Sequence, residues 1–344
     1  MTATQIVVVS DMHPGDPASS FERHAIQRAA IEAIADEGPV DELILLGDAL
    51  DLDYGTLPIA VEGRRDEGGG RGAGLRSFLH GICGDTEVRR ISYVPGNHDY
   101  WVFDVLARQA DEVGPLDAGQ TLDYEPMFSG CFATPFLRGL MAEGRRDDLA
   151  VHYPNRVIEL AGYTVLLTHG HHLDPTQALF ISLDDVIAAP DPRKSKRAFL
   201  SDVAGYQTIA HAISYGGRTR RIAYVWAGGL GRLFRRVASL RGKKMGASLR
   251  RAIDIYITLF AEQPPDVFVF GHTHVPGHWR LPPPRRARDR KRSLAVYNSG
   301  AFVGVRGAAG TFLVFRAEGE GGLIVDEVVI AESGEWERRR LPSP

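Results

Sequence analysis

QIVVVSDMH, residues 5–13, joins a β-branched run to a polar end that carries Asp11 and His13. Four apolar residues in a row, Ile6 to Val9, predict a strand buried on both faces, as in the parallel part of an α/β sheet. Ligands of such sheets collect beyond the carboxyl ends of the strands. The pattern recurs four times. Glu42 to Leu46 runs into GDALD (Asp48, Asp51), and Arg90 to Val94 into GNHD (Asn97, His98, Asp99). Tyr163 to Leu167 runs into THGHH (His169, His171, His172), and Asp266 to Phe270 into GHTH (His272, His274). Further strands are expected at Leu294 to Tyr297, Thr311 to Phe315 and Leu323 to Ile330. Phe21 to Ile34 has helical spacing and lies between the first two strands, as a βαβ crossover would.

One Asp or His after a strand means little. An Asp there is often a helix N-cap, and a lone His is more often structural. Five clusters in succession ask for a common chemistry. Imidazole, carboxylate and amide oxygen together suit divalent Mn, Fe or Zn, and the absence of Cys from every cluster argues against a structural zinc of the thiolate type. A carboxylate can bridge two cations about 3.5–4 Å apart, the spacing that serves in-line displacement at phosphorus. Gly47, Gly96, Gly170 and Gly271 suit tight turns beside a crowded centre.

The order D-x-H, GD-x-x-D, GNH[DE], HG, GH-x-H resembles the signature of the calcineurin-like metallophosphoesterases, with no motif substituted between Ile6 and about Ala301. The resemblance implies an α/β fold, a four-layer α/β/β/α sandwich of two mixed sheets, with a helical cap insertion. It implies a first metal on Asp11, His13, Asp48 and His274, and a second on Asp48, Asn97, His169 and His272. Asp48 then bridges the pair, His98 acts as general acid at the leaving oxygen, and Asp51 or Asp99 orients it. Two cations, Mn expected first, lower the pKa of the attacking water. His171 and Asn97 are expected at the substrate. Tyr54, Tyr100 and Trp101 flank the motifs, where packing is at least as good an explanation, and Asp53 is a pocket candidate.

The expected organisation is one metallophosphoesterase domain over 1–344, with a basic helical insertion over 175–263. From His211 through Ala252 there is no Asp or Glu but eleven Lys and Arg, Arg235 among them. Trp226, Leu230, Leu233, Phe234, Val237 and Leu240 share a helical face there. A solvated face is the ordinary explanation for such a charge run. A basic amphipathic helix also suits peripheral membrane contact or an anionic substrate, and Arg235 is expected to touch substrate. Glu62 to Gly74 is glycine-rich without the GK[ST] ending of a phosphate-cradling loop, and Pro282 to Arg292 cannot build a core; both are expected to be surface loops.

The position of the insertion, between THGH and GHTH, is similar to that in the UDP-2,3-diacylglucosamine pyrophosphatases of lipid A synthesis, although that group commonly carries Arg where His98 stands. The resemblance thus points to a phosphorylated small molecule or lipid, with a lipid-linked or nucleotide-diphosphate substrate as the working expectation. A phosphodiesterase on cyclic nucleotides or nucleic acid is the alternative, then a phosphoprotein phosphatase. A non-catalytic scaffold fits worst, because every ligand position is intact. The 344 residues carry a net charge of -3, 44% hydrophobic residues and two Cys. That balance excludes a polyanion binder over the whole surface and a disulfide framework. Without a leader-like start or a long apolar run, a cytoplasmic or membrane-peripheral location is expected.

Overall fold

The computed structural model describes residues 4–53, 55–64, 73–99, 130–132, 135–145, 148–177, 183–188, 196, 198–207, 245–284, 292–305, 307–319 and 321–344. Among the described residues thirteen strands form two mixed sheets. The larger contains β1 (Gln5–Val9), β2 (Glu42–Leu46), β3 (Ile91–Val94), β4 (Gly130–Phe132), β5 (Leu149–Tyr153), β11 (Gly310–Glu318), β12 (Gly322–Ile330) and β13 (Trp336–Leu341), in the order β13-β12-β11-β1-β2-β3-β5-β4. The smaller contains β6 (Arg156–Leu160), β7 (Tyr163–Leu167), β8 (Val267–Phe270), β9 (Gly277–Leu281) and β10 (Leu294–Asn298), in the order β6-β7-β8-β10-β9. The helices are α1 (His24–Ala35), α2 (Leu57–Glu62), α3 (Leu75–Asp85), α4 (Pro135–Arg138), α5 (Leu183–Ala188) and α6 (Ala247–Phe260), with a further helix over 198–207.

Side chains alternate across a strand with a period of two, and here the alternation sorts the core into layers. Val7, Val9, Leu43 and Leu45 point outward from the large sheet and pack on Ile26, Ala30 and Ile34 of α1 and Phe78 and Ile82 of α3. Their neighbours Ile6, Val8, Ile44 and Leu46 point the other way and meet Val165, Leu167, Val267 and Val269 of the small sheet. Leu166, Phe268, Phe270 and Val296, on the far face of the small sheet, pack against Ile253, Tyr256 and Ile257 of α6 and Phe199 and Val203 of the 198–207 helix. Three apolar seams between four layers make the α/β/β/α sandwich. Each fully buried aliphatic side chain stabilises it by roughly 1.5–3 kcal/mol.

The central strands are parallel within each sheet, so their carboxyl ends gather at one edge. Val8 pairs with Ile44, and Leu45 with Tyr93. In the small sheet Leu167 pairs with Val269. Buried hydrogen bonds fasten the sheets near this edge: Thr168 Oγ1 donates to the Pro154 carbonyl at 3.0 Å, and Ser10 Oγ meets Ser299 Oγ at 2.6 Å.

The expected crossover helix starts later than its spacing suggested. Ser20–Glu22 is a 3-10 turn with Phe21 buried, and α1 begins at His24. The stretch over 175–263 divides. Its described helices pack on the small sheet. Arg235 and the aromatic face over 208–244 lie outside the described residues, as do Tyr54, Tyr100, Trp101 and most of both expected loops. Among the described residues no helix is long and apolar enough to cross a membrane.

Candidate metal centre

The turns after β1, β2 and β8 carry their functional residues in strained backbone. Asp11, His13, Asp48, His272 and His274 all have φ between 48° and 65°, a left-handed region that costs side-chain-bearing residues on the order of 1–3 kcal/mol each. Of the positive-φ residues other than glycine among those described, only Ala161 lies elsewhere. The strain turns each side chain back across its strand end toward a single point. Backbone hydrogen bonds hold it there: Asp11 N–H donates to the Gly47 carbonyl and His13 N–H to the Asp48 carbonyl, both at 3.0 Å. A Cβ on Gly47 would overlap the His169 ring, and one on Gly271 the Asp11 carboxylate, so the strand ends approach that closely only without side chains there.

Among the described residues three groups of potential ligands have their ligating atoms within 4.8 Å of one another: His13, Asp51 and His98, and two that adjoin, Asp11, His13, Asp48 and His274, and Asp48, His169 and His272. Asp48 belongs to both. The tautomers can be worked out from hydrogen bonds at the far side of each ring. His13 Nδ1 lies 2.9 Å from Asp51 Oδ2 and must donate to it, which leaves a lone pair on Nε2. His169 Nδ1 lies 2.9 Å from the Leu46 carbonyl and likewise donates. Both Nε2 lone pairs then face acceptors. His13 Nε2 is 3.4 Å from Asp48 Oδ2 and 3.2 Å from His274 Nε2. His169 Nε2 is 3.2 Å from Asp48 Oδ2 and 3.1 Å from Asn97 Oδ1. Asp48 Oδ2 is buried with no hydrogen-bond donor. Acceptors converging on acceptors in a buried site repel unless positive charge lies among them. The donor set fits two divalent cations.

The electrostatics agree. Burial opposes ionisation of His13 and His169, but the surrounding carboxylates outweigh it, raising His13 to about 10 and His169 to about 9. Asp48 is pushed down by the imidazoles of His169, His98 and His13 against the cost of burial. Without a cation, the cluster holds protons in its place.

His98, 17% exposed, stands beside the candidate ligands with Nδ1 3.2 Å from both Asp51 Oδ2 and Asp53 Oδ2. Burial would depress its basicity, yet Asp51, Asp48 and Asp53 together raise it well above the ordinary imidazole value. Its backbone N–H donates to Asp48 Oδ1 at 2.9 Å. Asp99, the other carboxylate offered by sequence as a partner for His98, is committed elsewhere. Its oxygens accept N–H bonds from Ala49, Leu50 and Gly96 and clamp the GDALD turn to the GNHD turn. Burial, then the Asp48 charge, raise it to about 6.

His171, expected at the substrate, is 2% exposed, and its ring lies against those of His169 and His172. Burial and the neighbouring imidazoles lower its basicity, and it packs against the His169 ring. His172 contacts the Tyr153 hydroxyl at 3.1 Å beneath α6. Two contributors escaped the sequence reading. Asn298, fully buried, donates from Nδ2 to the Gly271 carbonyl at 2.9 Å and to Thr273 Oγ1 at 3.0 Å, and so shapes the GHTH turn. Asp174 lies 3.4 Å from His272. Its only signal in sequence was a carboxylate five positions after His169.

The family model described as calcineurin-like phosphoesterase matches residues 4–276. A solved structure of a metallophosphoesterase from Sphaerobacter thermophilus is similar over 100% of this chain and 90% of its own, at 14% identity and a TM-score of 0.33. No curated protein shows a significant match.

Proposed function

The chain belongs to the calcineurin-like phosphoesterase family and is thus a metal-dependent phosphoesterase; from that premise we propose that it hydrolyses phosphate ester or diphosphate bonds in a lipid-linked or nucleotide-diphosphate substrate, with Mn²⁺ as the working pair of cations. One observation carries the two-cation reading: Nε2 of His13 and Nε2 of His169 both lie against a single buried Asp48 oxygen, at 3.4 and 3.2 Å. When bound, the cations neutralise phosphoryl charge and lower the pKa of an attacking water.

The chain's own groups supply the rest. Asp48 belongs to both ligand groups, so it would be held in common by the two cations. Asn97 brings an amide oxygen, without charge, to the His169 side. Asp51, Asp48 and Asp53 favour the protonated form of His98 against the cost of burial. With Nδ1 held toward Asp51 and Asp53, Nε2 is the atom left to give a proton to the leaving oxygen. Such a donor typically contributes a factor on the order of 10²–10⁴. The lipid or nucleotide preference rests on sequence alone, through the basic, aromatic stretch around Arg235. The same stretch supports a peripheral membrane location for a cytoplasmic protein.

The test compares three substrates on Mn²⁺-loaded protein: bis-p-nitrophenyl phosphate, p-nitrophenyl phosphate and a UDP-linked diacyl sugar. Turnover of the lipid nucleotide above the other two, lost in His274→Ala, is the expected result. Turnover of the diester alone sinks the lipid assignment and makes the protein a phosphodiesterase.

A further inference from the structure

Asp174 lies outside every motif, yet it links the second ligand group to the segment that leaves the site. The chain after His169 curls through the 3-10 turn His171–Leu173, with Gly170 at φ 108° and the Asp174 N–H closing onto the His171 carbonyl at 3.1 Å. This places the Asp174 carboxylate beside a ring 98 positions away in sequence. Its Oδ2 faces His272 Nε2 at 3.4 Å. Its Oδ1 is fixed from the other side by the backbone N–H of Thr176 at 2.8 Å and the Thr176 hydroxyl at 2.7 Å. The Asp174 carbonyl accepts the Gln177 N–H at 3.0 Å, and Gln177 Oε1 accepts from Gln207 Nε2 at 2.6 Å, which reaches the 198–207 helix.

We propose that Asp174 is a positioning residue for the second cation: its Oδ2 holds the proton of His272 on Nε2 and presents Nδ1 to the metal, while Thr176 holds the carboxylate. The inference rests on the two-cation reading of the site. The His272 backbone is already fixed, since its N–H donates to both Asp11 oxygens at 3.1 and 3.0 Å. What remains free is rotation of the ring and the choice of tautomer, and a carboxylate at the far nitrogen settles both. Ligating imidazoles are commonly held by a carboxylate in this way, and losing it typically costs about 10–100-fold in metal affinity. The amide of Asp174→Asn keeps an acceptor oxygen, but a weaker one that competes with its own NH₂ for the ring. Thr176→Val removes one of the two donors to Oδ1 and is expected to give a smaller loss in the same direction.

Mn²⁺ binding, followed by calorimetry and by the electron paramagnetic resonance of the coupled pair, tests this. Asp174→Asn is expected to bind its first Mn²⁺ as the parent does and its second about 10–100-fold more weakly. The coupled spectrum then appears only at higher Mn²⁺, and kcat recovers when Mn²⁺ is saturating. Parental second-site affinity in Asp174→Asn overturns the proposal. So does a loss of kcat that persists at saturating Mn²⁺ with normal binding, which would move Asp174 to the substrate. Asp48→Asn separates the two readings: if the parent shows no coupled pair, or Asp48→Asn keeps it, the two-cation site itself is wrong.

Discussion

Asp51 serves two imidazoles with one carboxylate oxygen. Oδ2 is 2.9 Å from His13 Nδ1 and 3.2 Å from His98 Nδ1, while Oδ1 accepts the Asp53 N–H at 2.9 Å. It therefore fixes the tautomer of a candidate metal ligand and favours the charged form of the candidate acid at once, and it is buried, which strengthens both effects. Asp51→Asn carries no charge to hold either imidazole, and with its amide oxygen on the two rings its NH₂ meets the Asp53 N–H that Oδ1 now accepts. The expected result is a double loss: metal affinity down about 10–100-fold and kcat down by a factor on the order of 10²–10⁴. His98→Asn keeps the backbone N–H that bonds Asp48, so it is expected to lose only kcat, with Mn²⁺ affinity nearly unchanged. Calorimetric titration beside steady-state kinetics on both variants checks this. Equal losses of metal affinity in the two would mean that Asp51 does not govern His13.

The functional elements could be read from sequence because the strands that carry them are central. β1, β2, β3, β7 and β8 are mostly apolar runs that lead within a few residues to Asp, Asn or His, and their bounds match the reading to within a residue. β4, β5, β6, β9 and β13 were missed: all but β5 lie at sheet edges, where half-exposed positions such as those of RVIEL, GHWRL and WERRRL accept charge and the apolar signal is diluted, and β5 is the inner neighbour of edge strand β4. The role of α6 could not be read either. Its periodicity announces an apolar face but not what that face meets, and its place in sequence suggested an insertion. In the structure Tyr256 stacks on Phe260 at 4.6 Å, and its hydroxyl reaches Thr168 Oγ1 at 3.1 Å, next to His169. If α6 is a layer of the frame, Tyr256→Ala should cost about 3–5 kcal/mol, as aromatic truncations in a core do. Tyr256→Phe should cost only about 1 kcal/mol for the lost hydrogen bond. Urea unfolding of the two variants decides. A cost for Tyr256→Ala below that of Tyr256→Phe would make α6 a detachable cap.

At the scale of the whole molecule, the strained strand ends and the converging acceptors load the fold with repulsion that only positive charge relieves. Protons do this in the metal-free protein. His13, raised to about 10, and His169, raised to about 9, bind protons more tightly folded than unfolded, where 6.5 is the reference. Their contribution to metal-free stability is therefore complete below about pH 6.5 and is lost as pH rises through 9 to 10. Cations act in the opposite sense. They bind deprotonated ligands and release the protons, so their affinity grows as pH rises. A ligand held only by the folded state stabilises by about 2.7 kcal/mol at 100 times its Kd. The gap in Tm between Mn²⁺-loaded and chelator-treated protein should then widen steadily from pH 6.5 to 8.5, and comparing the two at each pH cancels titrations elsewhere in the chain. Calorimetry in buffers of different ionisation enthalpy should register the release of roughly one to two protons at pH 7.5. A gap that stays constant or narrows with pH, or binding without proton release, would mean that the cluster does not hold its protons where the cations go.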